Sequence, residues 1–189
     1  MTDNILLLPT LPNGYLLDTE AESLRIFTPY SDPQIAIESF LSFALQKDSI
    51  MRTIIYGCTL NIFFDTFIKA KQIGCDIKII FDHTQADGKA EKQQIEKLIQ
   101  SGLVDGKDFV IGTSPKHNIV HLKQTSIGYG NPRKYLTLEG SWNYSKSATE
   151  EMNMLSFTAS PRLAEYTFQV FDNLWNWILQ HEESYQQVK

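Results

Sequence analysis

The stretch from His121 to Asn143 reads HLKQTSIGYGNPRKYLTLEGSWN, with a short polar pattern at each end. It begins with His121-x-Lys123 and ends with Gly140-Ser141-x-Asn143. In an extended chain alternate side chains share a face, so His121 lies with Lys123 and Ser141 lies with Asn143. The stretch therefore predicts two strands that bring together an imidazole, an ammonium, a hydroxyl and a carboxamide. These groups suit the binding and attack of a phosphodiester.

The two patterns resemble the phospholipase D superfamily, whose signature is HxKx4D followed by a GSxN strand. The resemblance continues through residues 144–148 and through Glu150-Glu151, which precede an apolar run. One residue of the signature is missing, because Gly128 stands where the family has Asp. The spacing from His121 to Ser141 is also longer than is usual in the family, which predicts an insertion at residues 128–132.

The resemblance implies a two-step reaction that needs no metal and no cofactor. One histidine attacks phosphorus and forms a phosphohistidine, while a second protonates the leaving oxygen and then activates water. His121 is the expected nucleophile. Lys123, Asn143 and Ser141 are expected to bind the phosphoryl oxygens and to stabilise their charge in the transition state.

Three acidic residues are candidates for supporting roles. The family places an acid after GSxN that orients the active histidine, and Glu151 lies just before the apolar run as that acid does. Glu150 is its neighbour, and the alternative interpretation is that both are solvated loop residues. Glu139 shares the face of Ser141 by alternation and is a candidate to replace the Asp that is missing at Gly128.

Positive charge is concentrated around the two motifs. The chain carries a formal charge of −5, but residues 115–149 hold five basic residues and one acid, which leaves −9 for the remainder. This asymmetry predicts a basic substrate site on an acidic body, although chance asymmetry on a solvated surface would give the same counts. His117, four residues before His121, is interpreted as a flank of the substrate groove or as a plain polar residue, since no third zinc ligand accompanies the pair. The other predicted substrate-binding residues are Lys116, Arg133, Lys134 and Lys146.

The length of 189 residues predicts one domain over residues 1–189, with an N-terminal arm at 1–20 and a helix at 161–180. No apolar run is long enough for a transmembrane helix, and no signal peptide or membrane anchor is expected. Cys58 and Cys75 are interpreted as buried free thiols, which fits a reducing cytosol and a cytoplasmic location.

Hydrophobic periodicity predicts an α/β fold. Strands and helices alternate through the first half, which indicates parallel strands, and strands separated by turns follow, which indicates antiparallel pairing. We therefore expect a mixed parallel and antiparallel sheet flanked by helices on both faces, and the resemblance implies the same. The predicted strands are 23–29, 52–57, 76–82, 109–112, 117–127, 134–141 and 152–159, and the predicted helices are 33–47, 61–72, 89–100 and 161–180.

The chain has one copy of the motif, whereas the chemistry needs two histidines. The resemblance is therefore to the single-motif members, largely nucleases, that form one site across a homodimer. The sequence predicts a metal-independent phosphodiesterase that acts on DNA or RNA as a homodimer. The alternatives are a phospholipid-cleaving enzyme that uses the same residues, and a catalytically degenerate module that only binds nucleic acid.

Overall fold

A computed structural model describes residues 15–18, 22–116 and 118–187. The predicted N-terminal arm at 1–20 lies outside the described residues except for one short strand, Tyr15–Asp18. His117, which was predicted at the substrate groove, also lies outside them.

The described chain forms one eight-stranded sheet with helices on both faces. Its strand order is β1-β2-β8-β7-β6-β3-β4-β5. β3, β4 and β5 are parallel to one another, and the remaining pairs are antiparallel. The strands are β1 Tyr15–Asp18, β2 Ser23–Thr28, β3 Ile50–Ile55, β4 Asp76–Asp82, β5 Phe109–Gly112, β6 Lys123–Tyr129, β7 Lys134–Gly140 and β8 Asn153–Thr158. The helices are α1 Gln34–Ser42, α2 Asn61–Gln72, α3 His83–Ala86, α4 Lys89–Gln100, α5 Lys146–Glu150 and α6 Pro161–Gln180.

The predicted fold class is confirmed, and the bounds of α2, β4, α4, β5 and α6 are as predicted. The expected place of the first long strand, β2, was wrong. It pairs antiparallel with β8 instead of joining the parallel strands. Its buried and exposed side chains largely alternate, as in a strand with one covered face, whereas β4 from Ile79 to Asp82 is buried without interruption, as in a parallel strand covered on both faces.

Two further predictions about the motif segment need correction. The strand predicted at 117–127 begins only at Lys123 and continues to Tyr129, so His121 lies in a loop that precedes it. The insertion predicted at 128–132 is not a loop beside the site. Gly128 and Tyr129 are the last residues of β6, and Tyr129 pairs with Lys134 across a tight hairpin turn.

Each face of the sheet has its own hydrophobic core. One core lies under α1, α2 and α4 and contains the larger share of the aromatic side chains. The other lies under α6, where Phe171, Trp175 and Ile178 pack on β3, β4 and β5. Cys58 and Cys75 are buried and free, as predicted. None of the helices in the described part of the chain combines the length and apolarity that crossing a bilayer requires.

The strand register brings both motifs to one edge of the sheet. Ile55 at the end of β3 pairs with Lys123 at the start of β6. Gly140 at the end of β7 pairs with Leu155 near the start of β8. The carboxyl ends of β3, β4 and β7 therefore meet the amino ends of β6 and β8, and this edge carries the polar residues of both patterns.

Gly140 is required at this edge for steric reasons. A Cβ there would overlap the carbonyl oxygen of Met154 on β8. We expect Gly140→Ala to lower the free energy of unfolding by about 1–3 kcal/mol, as for other forced overpacking. Urea unfolding measures this. Gly57→Ala is the matched control, because its Cβ would meet only the Gln85 side chain, at 3.8 Å. Equal stability of the two variants would contradict the steric explanation.

Candidate active site

His121 and Lys123 are in direct contact at the start of β6. The Lys123 Nζ lies 2.9 Å from His121 Nε2 and also donates to the His121 carbonyl oxygen at 3.1 Å. Because an ammonium has donors only, Nε2 is the acceptor and carries no proton in this arrangement. The pattern His-x-Lys thus places a cation beside the ring nitrogen that faces it.

Tyr56 holds this pair from the end of β3. The Lys123 ammonium lies 4.7 Å from the centre of the Tyr56 ring, and the His121 ring meets Tyr56 edge-on at 4.5 Å between centroids. A cation over an aromatic face and an edge-to-face ring pair are both favourable contacts. The Tyr56 hydroxyl accepts from Gln85 Nε2 at 3.1 Å, which orients the tyrosine in turn. Sequence reasoning did not identify Tyr56.

The environments of His121 and Lys123 differ in their access to solvent. His121 is exposed, whereas Lys123 is only 5% exposed. Burial lowers the pKa of Lys123, and the negative charge of Asp82 opposes that shift. A substrate can therefore reach the imidazole from solvent while the ammonium beneath it is held in place by its surroundings.

Asp82, at the end of β4, is a buried residue of the site that the sequence prediction missed. One of its oxygens accepts from the backbone N–H and the hydroxyl of Thr84, and the other accepts from the backbone N–H of Val120. The neighbouring His83 donates from Nε2 to the carbonyl oxygen of Asn118 at 2.8 Å. Both contacts tie the loop before His121 to the end of β4. The sequence signal was an acid at the end of a buried strand, where ligands gather in α/β sheets.

The segment that carries Asn143 contacts the segments that carry Tyr56 and Lys123. Tyr144 donates from its backbone N–H to the carbonyl oxygen of Gly57 at 3.0 Å, directly after Tyr56. The Tyr144 hydroxyl contacts the Thr125 hydroxyl at 3.0 Å, and Thr125 shares a strand face with Lys123. The Asn143 side chain is half-buried and its carbonyl oxygen has no hydrogen-bond partner. The edge of the sheet that carries Lys123 therefore also carries the segment of Asn143.

Ser141 has a different role from the one that the sequence predicted. Its hydroxyl accepts from the backbone N–H of Met154 and donates to the side-chain oxygen of Asn153, both at 3.1 Å. A hydroxyl has one proton to donate, and here that proton is used. Ser141 therefore joins the end of β7 to the start of β8. In this arrangement its hydroxyl has no proton left to donate to a phosphate.

The three candidate acids lie in different places. Glu139 borders a shallow cavity of about 280 Å³ that His121 and Lys123 also line, and it accepts from Gln124 at 3.2 Å. Glu151 is exposed at the end of α5, and its carbonyl oxygen accepts from Thr28 at 2.7 Å. In the described part of the chain, the side chains of Glu150 and Glu151 make no hydrogen bond to His121. Of the three, Glu139 is the acid at the same cavity as the motif.

The basic residues around the motifs do not form one patch. Lys116 is exposed in the loop that leads to His121, and Lys146 begins α5, where it lines a separate cavity of about 450 Å³ with Trp142 and Glu150.

Arg133 and Lys134 lie at the hairpin end of β6 and β7, six residues or about 20 Å along the strand from Lys123. Arg133 donates to the carbonyl oxygen of Asp48 there, at 3.1 Å. Gly128 is at the same distant end, so an Asp there would not reach His121. The clustering in sequence was misleading, because the two ends of a hairpin strand lie far apart in space. The proposed pocket therefore excludes Arg133 and Lys134.

A buried carboxyl supports the loop after Tyr56. Glu91, in the first turn of α4, is 3% exposed, and one of its oxygens accepts from the Cys58 backbone N–H at 3.0 Å. Burial, with a smaller contribution from the charge of Asp82, raises the pKa of Glu91 to about 8, and the hydrogen bond from Cys58 opposes this shift. Burial and Glu91 also raise the pKa of the Cys58 thiol.

Among the described residues, no three His, Cys, Asp or Glu side chains are grouped as a metal site.

Comparison with known proteins identifies the family. The profile of the family described as "Cardiolipin synthase, PLD-like domain" matches residues 44–175, which is more than half of the chain. The chain therefore belongs to this phospholipase D-like family, as its motifs predicted. A search of curated proteins gave no significant match.

Several solved structures have the same fold. The phospholipase D family member Nuc from Salmonella typhimurium is 21% identical over 88% of this chain and 98% of its own, with a TM-score of 0.63. NucT from Helicobacter pylori is 16% identical over 87% of this chain and 98% of its own, with a TM-score of 0.64. Polyphosphate kinase from Porphyromonas gingivalis is 17% identical over 92% of this chain and 28% of its own, with a TM-score of 0.66. These similarities establish the fold alone.

Glu91 gives a prediction about stability and pH. The unfolded carboxyl ionises near 4.5, whereas the folded one ionises near 8, so between these values the folded state binds more protons. Stability should then fall with rising pH by on the order of 1 kcal/mol per pH unit over this range, and not further above it. Glu91→Gln should remove that decline, because glutamine does not titrate.

Urea unfolding at pH 5, 7 and 9 tests this expectation. The gain of Glu91→Gln over the parental protein should be larger at pH 9 than at pH 5. Glu96→Gln is the matched control, since Glu96 is exposed on the same helix. Parallel stability curves for the parental protein and Glu91→Gln would contradict the assignment.

Proposed function

We propose that the chain is a metal-independent phosphodiesterase that hydrolyses nucleic acid through a phosphohistidine on His121. The observation that carries this proposal is the contact between Lys123 Nζ and His121 Nε2, beside a solvent-open cavity. It supplies a nucleophilic nitrogen and a cation at the same point. Membership of the phospholipase D-like family supports the same class of chemistry.

The geometry supports a definite sequence of steps. A phosphodiester enters the cavity, and a nonbridging oxygen takes over the Lys123 ammonium from Nε2, which frees the nitrogen lone pair. The Asn143 amide donates to a second nonbridging oxygen. His121 Nε2 then attacks phosphorus in line with the leaving oxygen, so that a P–N bond forms and a P–O bond breaks. These two donors act where charge develops, which is where a fixed donor accelerates a reaction most.

The second half of the reaction needs another acid–base group. The leaving oxygen takes a proton from a second histidine as it departs. That histidine then removes a proton from water, which attacks phosphorus and breaks the P–N bond. Within the described residues, the hydrogen-bond partner of the His121 ring is Lys123.

A substrate assay with His121→Ala tests the proposed chemistry. Fluorescent single- and double-stranded DNA and RNA, together with phospholipid vesicles, should be incubated with excess EDTA. We expect nucleic-acid cleavage to survive EDTA and to be lost in His121→Ala. Lys123→Ala and Asn143→Ala should each lower kcat by roughly 10²-fold or more, as for lost oxyanion donors.

The control for these variants is Lys107→Ala, which should retain parental activity. Lys107 is exposed and precedes β5, at the end of the sheet opposite to the motifs. Near-parental activity of His121→Ala would exclude the phosphohistidine. Cleavage of phospholipid alone would assign the same residues to a lipid substrate. Complete loss in EDTA with rescue by Mg²⁺ or Zn²⁺ would exclude metal independence.

The second histidine is proposed to come from a second copy of the chain. A twofold contact at the motif edge brings His121 of each subunit to the same place. Such a contact would remove exposed apolar side chains at this edge from water. They are Ile119, Leu122 and Met152, which are 38%, 45% and 65% exposed.

Mixing parental and inactive chains tests the shared site. Equal amounts of parental and His121→Ala protein should exchange subunits freely before the assay. If each site needs both histidines, activity falls to about a quarter of the all-parental value, because only parental homodimers work. A value near one half, or full activity of a protein that sediments as a monomer, would contradict the shared site.

A further inference from the structure

We infer that Asp82 is a positioning residue for the His121–Lys123 pair. It anchors the loop that precedes His121, and its negative charge acts on the Lys123 ammonium. The inference concerns a residue that lies 39 positions before His121 and outside both motifs. Its kinetic consequence rests on the proposed function, but its geometry does not.

The anchoring is direct. Asp82 is fully buried at the end of β4, and its two oxygens accept from different segments. One oxygen accepts from Thr84 in α3, which follows β4, and the other accepts from the Val120 backbone N–H, one residue before His121. Acceptance at both oxygens from N–H donors is the pattern of an ionised carboxylate. The backbone that presents His121 is thereby fixed to the sheet.

The charge of Asp82 acts on the buried ammonium. The titratable groups around Lys123 come from four elements: Tyr56 after β3, Asp82 on β4, His121 on its own segment, and Glu139 on β7 at the border of the cavity.

Among these groups Asp82 is the fully buried acid. Glu139 is half-buried and accepts from Gln124. Behind Asp82, Glu91 is a neutral acid at pH 7, since burial raises its pKa to about 8. Asp82 is thus the negative charge that favours the protonated form of Lys123 against the cost of burial.

Protonation of Lys123 matters for the proposed reaction. The ammonium brings a positive charge to the phosphoryl oxygen, which the neutral amine does not, and a charged donor makes the stronger hydrogen bond. Without the charge of Asp82, Lys123 loses its proton at a lower pH, so the alkaline limit of activity moves to lower pH. Loss of the Val120 contact also frees the loop, which raises the disorder of His121.

Asp82→Asn tests the inference, because it keeps the size of the side chain and removes its charge. The readout is an NMR titration of protein labelled with [ε-¹³C]lysine, in which the Lys123 signal is assigned by its absence in Lys123→Arg. We expect the Lys123 midpoint in Asp82→Asn to lie at lower pH than in the parental protein. The alkaline limb of the pH–rate profile should move in the same direction.

The matched control is Asp108→Asn. Asp108 is also a buried acid that binds a backbone N–H and a lysine, namely those of Val104 and Lys71, but it lies at the opposite end of the sheet, before β5. Its loss should lower stability and leave the Lys123 midpoint unchanged. An unchanged midpoint in folded Asp82→Asn would overturn the inference.

A second measurement avoids any change at Asp82. If Asp82→Asn does not fold, the Asp82 carboxyl ¹³C shift in the parental protein should show a step at the Lys123 midpoint, and Lys123→Gln should abolish the step. Absence of the step would overturn the inference.

The outcomes also separate the inference about Asp82 from the proposed function. A shifted Lys123 midpoint without hydrolysis of any substrate supports Asp82 and rejects the proposed function, whereas hydrolysis with an unchanged midpoint rejects Asp82 alone.

Discussion

The site depends on keeping the ammonium of Lys123 charged in a place where water barely reaches it. Removing a charge from water is costly unless other groups offset it, and each neighbour of Lys123 contributes to that offset. The Tyr56 ring supplies a negative face, His121 supplies two acceptors, and Asp82 supplies a full charge. These groups lie at or next to the ends of β4, β3 and β6, so the order of these strands in the sheet is a precondition for the site.

The sequence was sufficient for the fold class and for the family that the two motifs indicate. β4 and α4 were predicted to the residue because each has a strong period and a clear end, such as Gly102 after α4. The nearness of His121 and Lys123 reflects their spacing of two in the chain, although the strand alternation from which it was argued does not apply, because His121 lies in a loop. Features of this kind involve neighbours in the chain.

Contacts between distant segments were not predictable in the same way. Asp82 and Tyr56 are ordinary residues at strand ends, and only the strand order shows that they adjoin His121. Ser141 fitted the motif, but its proton is used by a neighbouring strand whose register the sequence does not specify. Arg133 was predicted at the substrate site because it is close to the motifs in sequence. The strand β6 runs away from Lys123, so Arg133 lies at the other end of the sheet.

That separation makes the β6–β7 turn a convenient place to modify the protein. Residues 130–133 are exposed and connect two well-paired strands, and exposed loop tips of this kind tolerate insertions. A fluorophore, an affinity tag or a crosslinking group placed there would stand about 20 Å from Lys123, beyond hydrogen-bond reach of the phosphate-binding groups. The turn thus offers a handle for immobilising the chain or for measuring distances between copies while the motif edge stays accessible.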